Sequence, residues 1–208
     1  DFEKKVYTLD DPMIVKDPYG LSPLTALILF KTDSKMNIEI EIPGKNKEGT
    51  LKYKLEGYNN LHIITEYGLY PDKKKIGFIS AYDEQGKKIR KKIKIKTDKV
   101  EIDMPKVKIL KKDQEKVKKG FLFISSFSGM YAIDLNGDVR WYIKDGIGGT
   151  SPITQLENDR FLAINNEMTR PPYYKSGFYE LNIMGKIHKE YDVDGVHHNI
   201  VELPNKNY

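Results

Sequence analysis

The chain has 208 residues, 39% of them hydrophobic, with no cysteine and a formal net charge of +5 from 35 Lys and Arg against 30 Asp and Glu. That is enough apolar content for one large core or two modest ones, and it excludes disulfide and thiol chemistry. No apolar run approaches the roughly 20 residues needed to span a bilayer, and DFEKKVYTLD at the start is neither a signal peptide nor an amphipathic anchor. The chain therefore reads as soluble, with no membrane span. Residue 1 is an aspartate and ELPNKNY at the end reads as a strand just beginning, so a processed fragment of a longer polypeptide is expected.

From Pro23 to about Lys96 the sequence runs in short segments of strand character, broken at PGKNKEG (43–49), EGYNN (56–60), YPDKKK (70–75) and DEQG (83–86). Strands are predicted near 24–31, 36–42, 50–55, 61–66, 76–82 and 87–96, with no helix-length pattern between them. This spacing predicts a β-sandwich over residues 1–100. The lysines crowd into 73–77, 87–96 and 111–119. Polyanion binding has to be weighed against a solvated face with lysine-protected edges. KKIRKKIKIK (87–96) alternates Ile89, Ile93 and Ile95 with lysines and lacks the aromatic platforms of a nucleic-acid surface, so it reads as a half-buried strand with no nucleic-acid partner. The polar, proline-bearing TDKVEIDMPKV (97–107) is the expected boundary, with a separate core on either side.

The second half repeats. FLFI (121–124) resembles FLAI (161–164), and YAIDLNGDVRWYI (131–143) aligns with YELNIMGKIHKEY (179–191), so that Ile133, Leu135, Gly137 and Val139 match Leu181, Ile183, Gly185 and Ile187. The offsets are 40 and 48 residues, and NEMTRPPYYKSG (166–177) absorbs the difference as an expected insertion loop. ITQLENDRF (153–161) then superimposes on IVELPNKNY (200–208) at an offset of 47. A short first strand, a turn at an asparagine, a FLAI-type strand and a hairpin make four-stranded blade grammar, and the period is near the 40 to 50 residues or so of propeller repeats. Residues 106–208 are predicted to form a partial β-propeller of about two blades and the first strand of a third; a two-sheet sandwich is the structural alternative. The fold class is all-β.

Of the four histidines, His62 lies in the alternating NLHIIT and reads as a partly buried core imidazole, and His188 in a hairpin reads as surface. A closed zinc site is not expected from four such scattered positions without cysteine. His197 and His198 directly precede a predicted first strand, the strand that lines a propeller channel. Alternation would send the two rings to opposite faces. Histidine at such a place can act as nucleophile, proton donor or anion ligand near neutral pH. Arg140 and Trp141 close the first hairpin, as a blade-edge charge and a tryptophan packing between blades. Arg170, Tyr173 and Tyr174 lie in the insertion loop, where they could present a cation and two aromatics to a planar anion. The glycine run DGIGGTSP (145–152) lacks the lysine and helix of a phosphate loop, and no cofactor is expected.

DPYGLSPLTALI (17–28), HIITEYGLYPDKKKIGF (62–78), LNGDVRWYI (135–143) and above all YELNIMGKIHKEYDVDGVHHNIVELPNKN (179–207) resemble the bacterial aryl-sulfate sulfotransferase family. The family pattern has an acidic residue where this chain has Asn199 and a turn glycine where it has Lys206. The resemblance implies a small N-terminal sandwich followed by a six-bladed propeller, an extracytoplasmic (periplasmic or secreted) location, and sulfuryl transfer from an aryl sulfate donor to a phenolic acceptor through a sulfohistidine. It also implies that His197 and His198 belong to an auxiliary site contacting the sulfuryl or leaving group, with His198 toward the channel. The nucleophilic histidine and the channel arginine would lie in later blades, leaving these 208 residues inactive alone. A homo-oligomer is compatible with all of this. The competing expectation is a non-catalytic extracytoplasmic module used for adhesion or assembly.

Overall fold

The computed structural model describes residues 5–104, 106–113, 120–149, 151–171 and 174–208, and every named element in it is a β-strand. The first sheet system comprises β1 (Met13–Lys16), β2 (Ala26–Ile42), β3 (Leu51–Lys54), β4 (Asn59–Glu66), β5 (Lys74–Tyr82) and β6 (Lys88–Lys96). The segments predicted near 24–31 and 36–42 are one strand of 17 residues. Residues 26–31 of β2 pair with β1 and β4, whereas residues 37–42 pair with β3 and β5, and the register shifts between Lys31 and Met36. A strand that leaves one sheet and enters another at such a bend forms the corner of a sandwich.

Period-2 alternation then fills the space between the sheets. Ile28, Phe30 and Ile64 come from one side, and Ile38, Ile40, Ile79, Ile93 and Ile95 from the other, all buried in one cluster. On β6 the lysines at 92, 94 and 96 are exposed between buried Ile93 and Ile95, and among the described residues β6 pairs only with β5. Its charges guard an edge that would otherwise invite another strand.

Two further sheets follow. β7 (Leu122–Ser126), β8 (Gly129–Ile133) and β9 (Val139–Tyr142) form a meander. β10 (Thr154–Gln155), β11 (Arg160–Ile164), β13 (Tyr174–Asn182) and β14 (Ile187–Val196) form a four-stranded antiparallel sheet, with β12 (Met168–Arg170) added to the start of β13. The stretch expected to be an insertion loop is therefore partly a small hairpin, because Met168 and Arg170 pair with Lys175 and Tyr174. Pro172 and Tyr173 lie outside the described residues.

The sequence repeat is a structural one. The Asp134 carboxylate accepts from the N–H groups of Asn136 and Asp138 at 2.9 and 3.1 Å, and Gly137 closes the turn at φ 81°. Forty-eight residues on, the Asn182 side-chain oxygen accepts from Met184 and Lys186 at 3.0 and 3.1 Å, and Gly185 has φ 80°. The unit-opening turns match as well: Leu156 N–H bonds Arg160 O and Leu203 N–H bonds Asn207 O, with Asp159 and Lys206 in the left-handed region.

Apolar contacts cross the boundary expected at 97–107. β8 is buried on both faces. Its Met130 and Ala132 join a cluster with Trp141, Phe161 and Leu181, while Tyr131 and Ile133 join the sandwich cluster with Ile38 and Ile40. Trp141 sits between the two blade-type sheets as expected, 5.4 Å from Phe123 and 5.7 Å from Phe161 between ring centroids, and its indole N–H bonds Ile183 O at 2.7 Å. The loop before β2 locks onto both sheets: Leu21 O accepts from Lys144 N–H at 2.9 Å, and the Ser22 hydroxyl donates to Ile183 O at 3.1 Å.

Candidate functional site

Four of the five side chains singled out from sequence meet at one end of the second blade-type sheet; the fifth, Tyr173, is outside the described residues. The β12–β13 hairpin puts Arg170 opposite Tyr174, and the pairing of Lys175 with Val196 brings the end of β14 alongside. The Arg170 guanidinium carbon is 4.9 Å from the Tyr174 ring centroid. The Tyr174 and His197 rings are 5.2 Å apart, and the His197 and His198 rings 3.6 Å apart. Arg170 Nη2 is also 3.8 Å from the Asp194 carboxylate, both groups being exposed.

The expectation that His197 and His198 point to opposite faces of a strand does not hold here. β14 ends at Val196, and His198 takes a left-handed φ of 73° that folds its ring toward that of His197. Asn199, which stands at the acidic position of the resembling pattern, uses its side-chain oxygen to accept from Ile200 N–H at 2.8 Å. A cation, a phenol and two imidazoles in one line offer a flat face for an aryl ring and several N–H and O–H donors for anionic oxygens.

The other histidines are separate from this line. His62 is buried, stacks on Phe30 at 4.8 Å, and has its Nε2 3.0 Å from the Thr32 hydroxyl; burial lowers its pKa, as expected of a core imidazole. His188 departs from its surface reading. It is half-buried with Nε2 unbonded among the described residues, and burial followed by the charges of Arg160 and Lys186 lowers its pKa. Its neighbour Glu180 is buried, which alone would raise its pKa, but a 2.6 Å bond from Arg160 and the nearby Lys189 hold it below the usual carboxylate range.

Arg140 is a second correction. It is fully buried between the sandwich and the first meander, not on a blade edge. Its Nε donates to Gly68 O at 2.7 Å; its Nη1 reaches Asp134 at 2.8 Å, the Tyr70 hydroxyl at 3.0 Å and Gly49 O at 3.0 Å. Nearby, the Tyr53 hydroxyl donates to Glu66 at 2.9 Å, and burial pushes the Glu66 carboxyl up to about 8 against the opposing pull of Tyr53 and Arg140. Sequence reasoning missed this interface because its ligands come from turns at 49, 68 and 70 that carry no periodic signal. A cleft of about 840 Å³ opens beside it, with Tyr53, Tyr67, Phe121, Phe123 and Arg160 in its walls. Among the described residues no three of His, Asp and Glu are grouped to hold a metal ion.

An all-β chain with an immunoglobulin-like front half and blade-type repeats behind it agrees with the comparison to known families. Residues 13–98 match the arylsulfotransferase Ig-like domain, and residues 106–208 match arylsulfotransferase (ASST). The chain belongs to the arylsulfotransferase family. A comparison with curated proteins finds no match.

Proposed function

We propose that this chain forms the sandwich (residues 1–100) and first propeller units (residues 106–208) of an extracytoplasmic enzyme that moves a sulfuryl group from an aryl sulfate to a phenol. In this reading a histidine outside these residues attacks sulfur, the sulfur–oxygen bond to the aryl group breaks, and the phenolate leaves with the electron pair. A phenolic acceptor then attacks the sulfohistidine; the sulfur–nitrogen bond breaks and the acceptor proton passes to a base. Phenols near pKa 10 are tolerable leaving groups when a proton or positive charge meets the departing oxygen. The sulfuryl oxygens need fixed donors throughout.

The observation that supports the reading is the line Arg170, Tyr174, His197, His198. Arg170 and Tyr174, with Tyr173 beside them in sequence, hold the aryl sulfate. His198, backed by His197, contacts the sulfuryl group or the leaving oxygen. No helix among the described residues is long and apolar enough to cross a membrane; the extracytoplasmic location rests on the family.

The experiment is to replace His197 and His198 separately with alanine in a polypeptide carrying further blades and to compare kcat/KM for an aryl sulfate. A loss of about 10²-fold or more at His198 is expected for a positioned general acid or base. A larger loss at His197 reverses the roles, and no loss at either returns the site to the adhesion or assembly reading.

A further inference from the structure

The cations of β6 stand mostly on one side of it. Residues 87–96 hold seven Lys and Arg and no Asp or Glu, against a net charge of +5 for the whole chain, so the excess positive charge of the molecule is concentrated on this strand. Alternate residues of a strand share a face. Ile93 and Ile95 point into the sandwich core, and Lys88, Arg90, Lys92, Lys94 and Lys96 are exposed on the opposite face. Across β5 their partners are Tyr82, Ser80, Phe78, Ile76 and Lys74, so Lys74 adds a sixth cation on a strand that is not an edge. The carboxylates that the next pairing brings to this face are Glu39 and Glu41 of β2, and both are taken: Glu41 lies 3.3 Å from Arg90 and Glu39 lies 3.5 Å from Lys52. Among the described residues Lys74, Lys92, Lys94 and Lys96 make no ion pair.

Lysine on an edge deters pairing with another strand, but that role does not call for a full row on one face or for its extension onto β5. The spacing suits a ligand. An antiparallel strand rises about 3.4 Å per residue, which sets neighbouring cations of the row about 7 Å apart and the five of β6 over about 27 Å. Three backbone bonds of an extended chain span about 3.3–3.6 Å, so a polymer with about six backbone bonds per charge, the repeat of a phosphodiester chain with three-carbon units, carries one anion every 7 Å or so. The rings on this face are not open for stacking. The Arg90 guanidinium carbon sits 4.2 Å from the Phe78 centroid, and Lys88 Nζ sits 5.1 Å from that of Tyr82. Single-stranded nucleic acid is held by aromatic faces on which its bases stack.

We propose that the outer face of β6 binds a linear phosphodiester polymer whose units carry no planar base, its successive phosphates meeting Lys88, Arg90, Lys92, Lys94 and Lys96, with Lys74 beside the last. Arg90 takes part because its guanidinium keeps N–H donors beyond the one spent on Glu41. The contacts are electrostatic, so affinity follows the number of phosphates neutralised and falls with salt. The surface lies within the Ig-like half and is independent of the sulfuryl chemistry proposed above.

The test uses the whole chain and titrates it at several salt concentrations with a poly(glycerol phosphate) oligomer long enough to cover β6, and with an oligothymidylate of as many phosphates. The oligomer should bind with log K falling by about 0.7 per phosphate neutralised for each unit of log salt, a slope of about −3 in all. Replacing Lys92, Lys94 and Lys96 together with glutamine should make that slope shallower by about 2 and weaken binding at low salt by about tenfold or more. Lys94→Gln alone, a milder change should the triple variant not show a cooperative melt, should make it shallower by about 0.7. Lys106→Gln, Lys108→Gln and Lys111→Gln together remove the same charge elsewhere and should leave binding nearly unchanged. No binding of the oligomer, or an equal loss in this control, overturns the proposal, and tighter binding of the oligothymidylate overturns it in favour of a nucleic-acid surface.

Discussion

The guanidinium carbon of Arg140 lies 3.9 Å from the centroid of the Tyr70 ring, and Arg140 Nη1 meets the Tyr70 hydroxyl at 3.0 Å. Arg140 belongs to the first meander and Tyr70 to the sandwich, so this contact, with the Asp134 ion pair beside it, joins the two family-matched regions. Removing one partner of a buried pair leaves the other charge without compensation. Arg140→Ala should cost about 3–5 kcal/mol in urea unfolding. Arg140→Lys should recover little of that, because an ammonium cannot serve Gly49, Gly68 and Asp134 from one planar fork. A loss below about 1 kcal/mol for Arg140→Ala, the range of an exposed pair, would show that the pair does not hold the halves together.

Glu66 sets a pH dependence. Its carboxyl is raised from 4.5 to about 8 by burial, so the folded state binds a proton that the unfolded state has released between those values. Its contribution is full below about 4.5 and is lost as pH rises through about 8. His62, lowered by burial, works on the acid side, where stability is lost as pH falls below its usual 6.5. Glu66→Gln keeps the shape and removes the titration, and between about pH 4.5 and 8 denaturant midpoints should fall less steeply with pH than in the wild type. Parallel curves for the two proteins would contradict this account of Glu66.

The repeated hairpin turn separates two glycines that look alike in sequence. Gly137 and Gly185 share a left-handed φ near 80°, but an added Cβ at Gly137 meets nothing nearer than 3.6 Å, whereas at Gly185 it meets Leu21 Cβ at 2.8 Å. Gly137→Ala should cost only the backbone strain, about 1 kcal/mol. Gly185→Ala should cost more, because it also pushes the loop before β2 off the second sheet. Equal thermal shifts for the two would show that this loop yields freely.

Alternation and turn chemistry made most of the strands legible, and the offsets of 47 and 48 residues anticipated turns that match bond for bond. What local patterns could not show is where a strand changes sheet. β2 looked like two strands because the bend at 31–36 is polar, and MIVK at β1 is too short to register. β8, apolar on both faces, gave no sign that its odd residues would pack on the sandwich. At the candidate site the residue types were readable, and so was their nearness in sequence to one hairpin and one strand end. The left-handed turn at His198 was not, since a non-glycine residue rarely takes it and parity arguments assume it does not.

The most direct test of the functional reading is to add an aryl sulfate and a phenol acceptor to the folded chain. Backbone amide shifts are followed by NMR, together with phenolate release and protein mass. The account predicts shifts that concentrate at Arg170, Tyr174, His197 and His198 on adding the aryl sulfate, with no acceptor-dependent phenolate release and no gain of mass. Turnover, or a stable sulfuryl group on a histidine of this chain, would put the nucleophile within these residues and contradict it; shifts confined to other regions would remove the line of four residues from the substrate path.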